Sequence, residues 1–149
     1  MPSTTAPQLW QLDDLKAEIL RGLKQGECGD AKVIDGRALA VKASPERENA
    51  TRLVIGMGAC PPNGYQTPSH SHEAEEIAFF LSGRGWVEIE GERYPVEPGS
   101  LLLTPSGAEH STCSADPEDP LVVLWMYAPP GDELRWIYPD QYATAGPAD

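Results

Sequence analysis

The chain holds three histidines, and two of them stand two residues apart in His70-Ser71-His72. Residues i and i+2 of an extended segment project to one face, so both imidazoles can reach a common point. Glu76 follows after a gap of three residues, enough for the chain to turn and return antiparallel with a carboxylate facing the same interior. The third histidine, His110, comes just after Pro105-Ser106-Gly107, a turn signal that starts another strand. A lone histidine in a β-protein is most often a surface or hydrogen-bonded residue. Here every histidine of the chain falls in this pattern beside one carboxylate, which makes a mixed N/O donor set suited to first-row divalent metals. The reading is one divalent transition metal per chain, with Fe, Ni, Mn, Co and Zn all admissible, held by His70, His72, Glu76 and His110. Glu75 competes with Glu76 for the fourth place. Period-2 alternation puts Glu76, Ala78 and Phe80 on the inner face and leaves Glu75 outward and solvated.

The elements that must carry these side chains are short. From Val33 onward, β-type runs are cut by Gly and Pro, with strands expected at 33–41, 52–59, 76–81, 85–89, 92–96, 100–104, 109–113 and 121–128. Turn signals stand at Gly83-Arg84-Gly85, Glu90-Gly91-Glu92 and Glu97-Pro98-Gly99. Strands this short and evenly spaced imply an all-β antiparallel sandwich or barrel. Upstream, Leu12, Leu15, Ile19, Leu20 and Leu23 recur at helical spacing, with Asp13 and Asp14 suited to a first turn. One amphipathic helix near 12–24 is expected, ending around Gly26 and packing its apolar stripe on the barrel. The expected organisation is a helical extension over 1–30, a barrel over 31–142 and a disordered tail over 143–149, the last rich in Ala, Pro, Thr and Gly.

Composition narrows the partners. Lys plus Arg total 11 against 23 Asp plus Glu, a formal charge of -12. Nucleic-acid phosphates and anionic lipid would both be repelled. The longest apolar runs, such as Leu121 to Met126, are far too short to cross a bilayer. Residues 1–7 lack the features of a secretory signal, and Cys28, Cys60 and Cys113 are odd in number without C-x-x-C spacing. No disulfide framework is expected, and a reducing cytoplasm fits.

The spacing also matches a family. Gly64, five residues, His70-Ser71-His72, three residues, Glu76, six residues and Gly83 reproduce the first cupin motif. Gly99, five residues, Pro105-Ser106-Gly107, two residues and His110 reproduce the second. The fifteen residues between them resemble the short intermotif segment of compact microbial cupins. One departure is visible: Ser114 stands where the second motif usually has Asn, a position that is not a metal ligand in the family. The resemblance spans roughly residues 53–128. It implies a jelly-roll β-barrel, Glu76 and not Glu75 as the acidic ligand, and a homodimer paired through its sheets.

Small barrels of this kind bind a ligand in their mouth and interior. Phe80 faces inward by period, and Tyr65 with Gln66, just before the first histidine, are loop candidates for substrate contact. Trp125 and Tyr127 share one face of the last strand, with Val122, Leu124 and Met126 on the other. The pattern leaves open which set faces the pocket. Resemblance to quercetinase-like cupins implies a metal-dependent dioxygenase acting on a small enolic, phenolic or ketone compound, with Glu76 doubling as proton acceptor. The alternatives are a redox-neutral isomerase, cyclase or lyase with a Lewis-acid metal, and a non-catalytic ligand-binding cupin. The second is thinly supported, because no helix-turn-helix accompanies the barrel.

Overall fold

The computed structural model describes residues 6–142, so the tail expected over 143–149 lies outside the described residues. Helix α1 (Leu12–Gln25) precedes ten strands: β1 (Glu27–Cys28), β2 (Ala31–Ile34), β3 (Arg37–Ala43), β4 (Val54–Cys60), β5 (Glu75–Ser82), β6 (Gly85–Ile89), β7 (Glu92–Val96), β8 (Leu101–Thr104), β9 (His110–Ser114) and β10 (Leu121–Ala128). Two short helices follow, α2 (Leu134–Ile137) and α3 (Pro139–Tyr142). The strands form a seven-stranded sheet in the order β1-β2-β3-β4-β10-β5-β8 and a three-stranded sheet in the order β7-β6-β9, all antiparallel. The architecture is a jelly roll with one substantial N-terminal helix, as the strand rhythm predicts. No helix among the described residues is long and apolar enough to cross a membrane.

One expected strand is two. The run 33–41 is broken by Asp35-Gly36, whose φ angles of 53° and 83° make a two-residue hairpin between β2 and β3. The apolar run hides a turn that needs positive φ at both central positions, which Asp tolerates and Gly favours. Glu90-Gly91 makes the equivalent turn between β6 and β7, with φ angles of 49° and 84°.

Helix α1 lies on the outer face of the large sheet. Leu15 and Ile19 pack against Ala38, Ala40, Met57, Ala59 and Val122, which share that face across β3, β4 and β10. Burying each of these two helix side chains contributes roughly 1.5–3 kcal/mol. The helix comes close because Gly22 meets the Ala31 side chain directly. Leu12, read as part of the stripe, is 46% exposed. A charged cluster fixes the helix laterally: the Lys42 ammonium on β3 donates to Glu18 at 3.0 Å and to Asp30 at 2.7 Å. Gly26 ends the helix with φ 95° and donates its N–H to the Gly22 carbonyl.

Inside the barrel the two sheets divide the interior. At one end Phe80, Val87, Val96 and Leu121 fill it with side chains. At the other, Trp125 and Tyr127 stack with ring centroids 5.3 Å apart at 8°. Gly83, φ +81°, lets the β5–β6 turn cross the Pro120 carbonyl where any Cβ would collide with backbone. Gly83→Ala is therefore expected to cost about 1–3 kcal/mol through overpacking. Thermal unfolding should show this as a fall in Tm of several degrees, ~2–4 °C per kcal/mol for a domain of this size. An unchanged Tm would show that the turn has room the structure denies it.

Candidate metal centre

The histidines meet because a loop acts as a strand. Segment 64–72 runs antiparallel beside β9: Gly64 donates to the Ser114 carbonyl, Thr67 to Thr112, and His70 and His110 exchange both N–H···O bonds, at 3.0 and 2.8 Å. Residues directly opposite in an antiparallel pair project to the same face. His70 and His110 therefore face the interior together, with ring centroids 4.4 Å apart. His72 follows two residues on, 5.6 Å from His70 and 4.9 Å from His110 between ring centroids. The chain then crosses to the other sheet through buried Ala74, and β5 brings in Glu76 opposite Thr104 and Tyr127. The Glu76 carboxylate lies 3.4 Å from Nε2 of both His72 and His110. Glu75 is exposed on the opposite face of the strand.

Each imidazole is oriented from behind. Nδ1 of His70, His72 and His110 lies 3.0, 2.8 and 2.8 Å from the carbonyls of Pro68, Ala74 and Ala108 respectively. A carbonyl only accepts, so Nδ1 carries the proton and Nε2 is left with a bare lone pair. One ligating nitrogen from each ring lies within 4.8 Å of the others. His110 Nε2 is buried and has no hydrogen-bond partner among the described residues. A buried polar atom with no partner is costly, and this nitrogen, grouped with those of His70 and His72 beside a carboxylate, fits a divalent cation. A backbone acceptor behind each imidazole is the arrangement found at metal-ligating histidines.

Charge in the cluster is uneven. Burial, reinforced by His110, lowers the His70 pKa to about 4, so it is neutral at physiological pH. For His72 burial works the same way, but contact with Glu76 outweighs it and the pKa is raised. Burial alone would raise Glu76, yet the His110 and His72 rings beside its carboxylate hold it at about 2. The acid is ionised throughout the neutral range.

The cluster opens on a cavity lined on its far side by Leu39, Val123, Trp125 and Tyr127. The face left open by the sequence is thus settled: Trp125 and Tyr127 point inward, and Val122 and Leu124 pack under α1. Trp125 has room because β4 places Gly56 opposite it, where a Cβ would run into the indole. Tyr127 is 5.9 Å from the His72 ring between centroids, and its hydroxyl donates to the buried Glu133 at 3.4 Å. Burial and the Glu133 carboxylate push that phenol far up, so it stays neutral.

Two sequence-derived pocket residues are elsewhere. Phe80 faces inward as its period requires, but it is 1% exposed in the filled end of the barrel and does not line the cavity. Tyr65 also lies off the cavity; its hydroxyl donates to the Asp35 carbonyl, and its ring packs on Gly36. Conversely, Arg37, Asp132, Arg135 and Trp136 line the cavity and were not expected there. Arg37 carried a readable signal, since it alternates with inward Leu39 and Val41 on β3. The other three come from α2 and the turn before it, whose docking on the cluster around Leu39 and Trp125 is a tertiary event.

Comparison with known proteins agrees with this fold. The cupin domain family model matches residues 57–127. A gentisate 1,2-dioxygenase from Ralstonia sp is 30% identical over 128 residues, 82% of this chain and 34% of that protein. A dimethylsulfoniopropionate lyase from Ruegeria pomeroyi is 39% identical over 67 residues, 43% of this chain and 32% of that one. Five of the six matching curated relatives are named dioxygenases. The chain spans about a third of the length of the curated relatives it matches first. Among solved structures, an RmlC-like cupin from Shewanella frigidimarina superposes with a TM-score of 0.59 at 14% identity, covering 74% of this chain and 90% of that one. The segment that matches the cupin domain family thus runs from β4 to β10 and holds all three histidines of the cluster.

Proposed function

We propose that the protein is a metal-dependent dioxygenase acting on a small enolic, phenolic or ketone compound, with His70, His72, His110 and Glu76 as the metal ligands. The observation that carries this reading is the convergence of three Nδ1-anchored imidazoles and one ionised carboxylate on a cavity. The names of the dioxygenase relatives supply the reaction class. A divalent ion in this donor set would supply Lewis acidity and further coordination positions for adjacent substrate oxygens and for dioxygen. The chain's own part is positional and protolytic. Trp125 and Tyr127 form a flat apolar wall for an unsaturated substrate, and the same wall limits water in the cavity. Glu76, ionised and set against the cavity, accepts the proton of an enol or phenol.

The similarity to a lyase keeps a redox-neutral reading as the alternative. Oxygen separates the two. Consumption of dioxygen in proportion to substrate loss is expected, across a panel of hydroxylated benzoates, enols and 1,3-dicarbonyl compounds. Full turnover under strict anaerobiosis would assign the lyase-type reaction instead.

Protein purified without added metal should carry close to one iron, nickel, manganese or cobalt per chain by elemental analysis. His110→Ala should lose most of it while keeping the wild-type circular dichroism spectrum. Metal retained in full by that variant would remove His110 from the ligand set. Glu76→Gln should lower kcat by about 100-fold or more, the usual scale for a lost proton acceptor, with measurable metal still bound by the imidazoles. The homodimer is also part of this reading. Ile77, Leu101, Leu103 and Met126 are 39%, 68%, 56% and 36% exposed on the outer face of β5, β8 and β10, an apolar surface that a second copy would cover. Light scattering should give the mass of two chains, and Leu101→Glu should halve it.

A further inference from the structure

Arg37 is 6% exposed, lines the cavity, and has a buried Nη1 with no hydrogen-bond partner among the described residues. Its nearest acid is Asp35 at 3.9 Å, itself 62% exposed, so the pairing is loose and solvent-screened. On its other sides stand the Tyr65 hydroxyl, the Cys60 thiol and the Trp136 ring, whose centroid is 5.1 Å from the guanidinium carbon. In the lining of the same cavity the Trp125 indole Nε1 is likewise buried without a partner among the described residues. Both orphaned atoms belong to groups that only donate. Burying a charged donor with one nitrogen left without a hydrogen bond is expensive in a fold with no use for it, and here that nitrogen belongs to a residue of the cavity that also holds the histidine cluster.

We propose that Arg37 and Trp125 form an anion subsite for the carboxylate of the substrate, which makes the substrate an organic acid. The inference rests on the reading of the cavity as a substrate site and adds the chemical class of what enters it. A carboxylate offers acceptors alone, matches the guanidinium fork and would satisfy both orphaned donors. The acid end then binds at Arg37 while the oxygens that react face the histidines, so the two ends of the cavity orient one molecule. Asp132 also lines the cavity and stands 4.0 Å from His72 Nδ1. Its charge disfavours a carboxylate at that position and leaves the Arg37 end as the place where one is favoured. A phosphate shares the acceptor chemistry, and the experiment separates the two.

Calorimetric titration of the protein as purified with salicylate, phenol and phenyl phosphate tests this. Salicylate and phenol differ only in the carboxylate. The wild type should bind salicylate more tightly than phenol or phenyl phosphate. Arg37→Met should lose about tenfold or more of salicylate affinity, the scale of one hydrogen bond to a charged group, and keep its affinity for phenol. Metal content, measured on both proteins, should be equal. A reduced metal content would locate the failure in the histidine site and not in the subsite. The stability of the free protein provides a second readout. A cation held for a ligand and not for the fold can be replaced by Met with an unchanged or raised Tm, whereas a structural Arg37 predicts a marked fall. Four results overturn the proposal: wild type with no preference for salicylate over phenol, Arg37→Met retaining that preference, phenyl phosphate bound best, or a marked fall in Tm for Arg37→Met.

Discussion

The centre depends on one pair of backbone hydrogen bonds, those exchanged between His70 and His110. An antiparallel pair bonded in both directions has no freedom to turn one side chain away from the other. Two imidazoles from positions 40 residues apart in sequence are thereby held side by side on one face. His72 inherits its place from the same segment, and the crossing through Ala74 delivers Glu76 from the opposite sheet. The carboxylate thus comes from one layer of the sandwich and the imidazoles from the other, so the cluster exists only while the two sheets stay closed.

Closure in turn rests on packing at a distance from the cluster. Helix α1 covers the outside of the large sheet, and the salt-bridged Lys42 fixes its position. The filled end of the barrel around Phe80 and Leu121 sets the sheet separation at which the other end remains hollow. Gly56 and Gly58 on β4 then decide what the hollow end contains. The first gives Trp125 its place, and a Cβ on the second would press on Val123 at 3.2 Å. The cavity is therefore a consequence of small residues on one strand facing large ones on its neighbour.

Much of this was legible in the sequence, and the residues show why. The cluster could be read because its geometry is local in form: two residues two apart, a carboxylate a turn away, and a turn signal before the last histidine. Helix α1 followed from its 3.6-residue period. The hairpin at Asp35-Gly36 was readable too, but the apolar residues around it suggested one continuous strand, and Arg37 lost its meaning as the first inward residue of β3. Phe80 faced inward as expected, yet period alone does not say which end of a barrel is filled. Tyr65 lay next to the motif in sequence, but its hydroxyl was taken up by the Asp35 carbonyl. Trp136 and Arg135 join the cavity only because α2 folds back on the barrel, which no spacing in the chain encodes. Ser114, the departure from the motif, is fully buried in β9, and its backbone N–H bonds to the Tyr65 carbonyl, so the altered side chain leaves the pairing of that strand intact.

The central claim is that three imidazoles, each held at Nδ1 by a backbone carbonyl, present Nε2 to a single ion. Nitrogen-15 NMR of the histidine rings in metal-free protein at neutral pH, followed through a titration with Zn²⁺, tests it most directly. The account predicts the Nδ1–H tautomer for all three rings, and then a joint shift of all three Nε2 resonances that saturates at one ion per chain. An Nε2–H tautomer in the cluster, or ions bound at separate rings in separate steps, would contradict it.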